Sequence, residues 1–91
     1  MTTADLTVIV LEAIRDNPNT DSHLLFDIIA SKPAVAEARK DGMVVPQDIL
    51  DIFAMLIDSG YVDGLHQVTK FDHAFVINGL SQAGIDLLES R

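Results

Sequence analysis

Cysteine is absent from the sequence, which excludes disulfides, thiolate metal sites and cysteine nucleophiles together and suits a reducing compartment. Basic residues are scarce. Six Lys and Arg stand against 14 Asp and Glu, for a formal net charge of -8 and a sequence pI near 4.4. Affinity for nucleic acid begins with neutralising phosphates, so this field repels a polyanion. No apolar run approaches the length of a bilayer span, because Glu12 and Arg15 interrupt the first one, and the opening MTTADLTVIVLEA carries no positive leader. The expectation is a soluble, cytoplasmic protein. Low-complexity segments, internal repeats and linkers are also missing, as are a nucleophile elbow, a phosphate loop and a metal-protease motif. Ser22 and His23 are better read as first-turn residues of a capped helix, so the expectation is a non-enzyme that needs no cofactor or metal.

What is present fits one domain over residues 1–91, with a single modest core. The hydrophobic content of 48% and mean hydropathy of +0.27 are high for a chain this small. Apolar surface left over from the core, for which Val8, Leu11, Phe26, Ile29 and the Met43-Val44-Val45 run are candidates, would then be buried against a partner protein or a second subunit in a homodimer.

The stretch Ala4 to Asp16 reads as a helix, with Thr2 or Thr3 as its N-cap and Asn17-Pro18 as its stop. At 100° per residue Leu6, Ile9, Val10, Ala13 and Ile14 share a face, which leaves Val8 and Leu11 to meet a partner. Thr20 is a candidate cap for a second helix reaching about Ser31, and Pro33 opens a short third one closed by Gly42. Pro46 opens the most regular helix, ending at Gly60. Its apolar face is Ile49, Ile52, Phe53 and Leu56, widened by Leu50 and Ile57, and its opposite face is Gln47, Asp51, Met55 and Asp58. Two β-prone runs then form a hairpin turning near Lys70-Phe71-Asp72. Asn78-Gly79 follows the second strand, and Ser81 caps a last helix that packs through Ile85 and Leu88, where Gly84 permits a close approach.

This order predicts an α+β, mostly helical fold: a winged helix-turn-helix with three to four helices, a two-stranded β-hairpin wing and a short C-terminal helix. The residues GYVDGLH, the hairpin containing His73 and Phe75, and INGLSQAGIDLLES together resemble the second half of the YjcQ-type family. That family comprises small uncharacterised winged-helix proteins of bacteria and their phages. The resemblance covers Pro46 to Ser90 and implies the fold and a phage-related setting, with no binding residues to carry over. Ser31 to Val45 is longer than the tight turn of a simple helix-turn-helix.

In a winged helix the Pro46 helix occupies the recognition position, where Arg, Lys, Asn or Gln would pair with base edges. It offers Gln47, Asp48, Asp51 and Asp58 and no basic residue. The favoured function is therefore a protein-interaction or regulatory accessory module, with Val8, Leu11, Gln47, Asp51, Met55 and Asp58 as candidate protein contacts. The alternative is a dimeric winged-helix DNA-binding transcription regulator that uses Lys32, Arg39, Lys40 and the wing-tip Lys70. Arg39 and Lys40 are also explained simply as cations near a helix C-terminus. His23, His66 and His73 raise a metal reading. A loop centred on Phe71 pairs His66 with Val76 and puts His73 on the other face, while a register shifted by one brings the two only diagonally near. No carboxylate has ligand spacing to them, and no metal is expected.

Overall fold

The computed structural model describes residues 1–68, 70 and 73–90, with His73 by its backbone alone. The elements run α1 (Thr3–Asp16), α2 (Ser22–Ala30), α3 (Pro33–Lys40), α4 (Pro46–Asp58), β1 (Val62–Val68), β2 (His73–Leu80) and α5 (Gln82–Glu89). The architecture is α+β and winged-helix-like: helices gather around one core, and β1 and β2 form an antiparallel hairpin followed by a closing helix. Among the described residues no helix is long and apolar enough to cross a membrane.

Helix α1 begins with a complete capping box. Thr2 Oγ1 accepts from the Asp5 N–H at 3.1 Å and Asp5 Oδ2 accepts from the Thr2 N–H at 3.0 Å, so two otherwise orphaned donors are satisfied. Its buried residues are Leu6, Val10, Leu11, Ala13 and Ile14. This corrects the assignment of Leu11 to a partner surface, since the side chain is 1% exposed within the core. Val8, half-buried, also packs against that core. The reason is the number of neighbours, because α2, α4, α5 and β2 all pack on α1 and together cover a wider arc than one partner would.

The turn after α1 carries Asn19 at φ 55, a left-handed conformation that Asn tolerates better than most residues. Asp21 rather than Thr20 caps α2. Its carboxylate accepts from the His23 N–H at 2.8 Å, while the Thr20 hydroxyl donates back to the Pro18 carbonyl. Helix α3 opens at Pro33, and Gly42 beyond its end sits at φ +76. Helix α4 opens at Pro46. Val45 has no side-chain acceptor, so only the returning half of a capping box forms, from the Val45 N–H to Asp48 Oδ2 at 2.9 Å. Ile49, Ile52, Phe53 and Leu56 are buried as the period predicts. Of the other apolar residues offered to a partner, Ile29 and Val44 are buried in the core, while Met43 and Val45 are exposed.

The hairpin pairs His66 with Phe75 and Leu65 with Val76, one residue away from the register expected for a loop centred on Phe71. His73 pairs with Val68 through its backbone. Its side chain and the tip residues Phe71 and Asp72 lie outside the described residues. Strand β2 continues through Asn78-Gly79, because Asp63 pairs with Gly79 and Gly64 with Ile77, which leaves Asn78 as the extra residue of a bulge. The Asn78 carbonyl then accepts from the Asn19 N–H at 2.8 Å, joining the wing to the α1–α2 turn.

The two ends of the hairpin meet at a polar junction. The Ser81 hydroxyl donates to the Gly60 carbonyl, the Ser81 N–H donates to the Tyr61 carbonyl at 3.1 Å, and Ser81 Oγ accepts from the Gly84 N–H at 3.2 Å. A Cβ at Gly84 would lie 2.1 Å from the Tyr61 oxygen, so only glycine allows α5 this close.

Candidate protein-interaction face

The outer side of α4 is set by the same helical period that buries its inner side. Gln47, Asp51, Met55 and Asp58 are all exposed and lie along one face, as their spacing predicts. Gln47 Nε2 donates to Asp51 Oδ1 at 2.8 Å, one turn apart, which holds that carboxylate on the face. Asp58, at the far end, has Oδ2 3.7 Å from Nδ1 of His66 on β1. His66 in turn stacks on Phe75 with ring centroids 4.8 Å apart, and Phe75 meets buried Phe53 edge-on at 5.8 Å. The inner side of the wing is thus stacked onto α4 by aromatic contact.

Beside this face lies a cavity of about 480 Å³ between the start of α1, the α3–α4 turn and α4. Leu6, Val44 and Ile52 supply apolar wall, Met43 and Met55 flank it, and Asp48 and Asp51 bring carboxylates to its rim. A second cavity of about 380 Å³ sits between the starts of α2 and α4 and strand β2, with Phe26, Leu50 and Phe75 as its apolar lining. Phe26 is therefore shared between the core and this depression.

The expected protein contacts thus divide. Gln47, Asp51, Met55 and Asp58 share one exposed face, Leu11 is core, and Val8 is half-buried. The expected DNA contacts lie on other elements. Lys32 is the half-buried cap residue of α3, Arg39 and Lys40 occupy its exposed last turn, and Lys70 is exposed between β1 and β2. Arg15, a further cation, pairs with Asp16 at 3.0 Å, and that hydrogen bond lowers the Asp16 carboxyl below its ordinary range. Among the described residues no three His, Asp or Glu side chains gather into a metal-binding group.

Protein-family models find no match in this chain, and searches of curated proteins and of solved structures return none. The geometry alone carries the functional argument. Asp48 was legible on the outer side of α4 and Met43 in the apolar Met43-Val44-Val45 run, whereas sequence reasoning missed Met1 and Thr2, which join them only where the start of α1 approaches α4. A usable signal was the methionine count of three, since Met1, Met43 and Met55 all line the same cavity.

Proposed function

We propose that this chain is a small non-catalytic winged-helix module of the cytoplasm that works by binding protein, as a regulatory accessory rather than a reader of DNA. The observation that carries this reading is the outer face of α4. In the position where a winged helix inserts into the major groove it presents Gln47, Asp51, Met55 and Asp58. Carboxylates facing a phosphate-lined groove are repelled, and a half-exposed methionine contributes no hydrogen bond to base edges. The same combination suits a protein surface, where apolar contact gives affinity and charge gives selectivity. The likeness of Pro46 to Ser90 to the YjcQ-type family adds a phage-related setting to the proposal.

A gel-shift series with random duplex DNA at increasing salt tests it. The expected result is no retardation at micromolar protein. Nanomolar binding that weakens steeply with salt would establish the DNA-binding alternative, with Lys32, Arg39, Lys40 and Lys70 as the phosphate contacts.

A further inference from the structure

We infer that a methionine-lined trough crossing α1, α3 and α4 receives a cationic amphipathic helix from a partner protein. The inference rests on the protein-binding reading above and adds the location and the chemistry of the partner. The cavity beside α4 is one part of the trough. A shallower depression of about 260 Å³ lies against α3, and the two share Met1 and Met43. They therefore run together across three helices.

The trough concentrates one residue type. Every methionine of the sequence lines it, with Met43 60% and Met55 40% exposed. An unbranched thioether chain adapts its shape to an incoming apolar side chain, so methionine on a surface suits a docking floor better than a branched residue does. Among the described residues the side-chain charges at the rim are of one sign. Asp48 and Asp51 border the α4 part and Glu37 and Asp41 the α3 part, and among the described residues no Lys, Arg or His side chain lines either. By helical spacing Arg39 projects from the side of α3 opposite Ala34, Glu37 and Ala38, while Lys40 stands one turn beyond Glu37 at the edge of that face. An occupant with an apolar stripe flanked by Lys and Arg complements both features at once.

The walls also select the occupant's form. Helices, the α3–α4 turn and the two residues before α1 supply the described lining, and among the described residues neither strand contributes, so an extended peptide finds no edge to join. A helix laying its apolar face between helices needs none. A second copy of this chain does not fit the description, because its own cationic helix, α3, already spends Val35 and Ala38 on the core.

Fluorescence anisotropy with three labelled peptides of about 16 residues tests the inference, the length being about four helical turns. One is a Lys/Leu amphipathic helix, the second has the same composition with the helical pattern scrambled, and the third replaces Lys with Glu. The patterned Lys/Leu peptide should bind with a dissociation constant on the order of 10 µM and weaken as salt rises. In protein carrying 13C-methyl methionine, it should shift the Met43 and Met55 resonances. The double variant Glu37→Lys/Asp51→Lys should weaken binding about tenfold or more, while Asp27→Lys/Asp86→Lys changes it less than about twofold. The control is matched, since both pairs reverse two exposed acids and both break a Gln–Asp contact one turn apart. Equal loss in the two variants, equal binding of the scrambled or Glu peptide, or unmoved methionine resonances would overturn the trough as the site. None of these outcomes touches the protein-binding reading, which fails separately in the duplex experiment.

Discussion

Helices α1 and α4 are both amphipathic, yet the structure treats their apolar surplus differently. Helix α1 carries apolar residues well outside a single stripe, and its Leu11 is nevertheless 1% exposed. Helix α4 has the tidier pattern, and it leaves Met55 40% exposed beside Asp51. The cause is packing rather than composition. Four elements close on α1, whereas α4 packs mainly on β1 and α1 and keeps its outer side open. The width of an apolar arc thus reports how many neighbours a helix has. An interface is better sought on a helix whose regular pattern is broken by one or two apolar side chains among charges.

The strongest way to break this comparison is Leu11→Asp. A carboxylate buried without a partner should cost about 4 kcal/mol or more and abolish the cooperative thermal transition. A folded variant that had lost only self-association would return Leu11 to a surface. Gly84→Ala comes next. Its Cβ would press on the Tyr61 carbonyl, backbone that has no rotamer to yield, and urea melts should show a loss of about 1–3 kcal/mol. Asp48→Ala removes the acceptor of the Val45 N–H and should cost about 1 kcal/mol in the same assay. Met55→Asp, the counterpart of Leu11→Asp on the open face, should stay within about 0.5 kcal/mol of the parent.

The smallest effect is one of pH. The hydrogen bond from the Thr2 backbone, with that of the Thr2 side chain, holds the Asp5 carboxyl below its ordinary range. A carboxyl lowered in the folded state stabilises fully above the ordinary carboxylate pKa and loses that contribution as pH falls through the lowered value. The protection factors of amides at the start of α1, which correct for the intrinsic pH dependence of exchange, should therefore fall in acid. Asp5→Asn should remove that acid-dependent step.

Much of the fold was legible because its punctuation is local. Pro33, Pro46, Gly42, Gly60 and Ser81 mark helix ends through φ preference and hydrogen bonding, which do not wait for tertiary structure. The inner and outer faces of α4 followed from its period for the same reason. The wing register stayed open between a loop centred on Phe71 and the pairing shifted by one that forms, because the tip has no Asn-Gly or Asp-Gly pair to set loop length, while the Asn78-Gly79 pair belongs to a bulge. At Leu11 the arc count presumed one neighbour where there are four. The trough was the least legible feature, since it forms where α1, α3 and α4 approach, and nothing local to any one helix states that approach.

The bulge and the Ser81 junction have a consequence for how this wing can vary. Asn78 ties β2 to the α1–α2 turn, and Ser81 bonds to both Gly60 and Tyr61, so register is anchored at the root of the hairpin. Residues inserted between Val68 and His73 should therefore leave the Phe53–Phe75–His66 stack in place, and the wing can be lengthened without shifting its seat on α4.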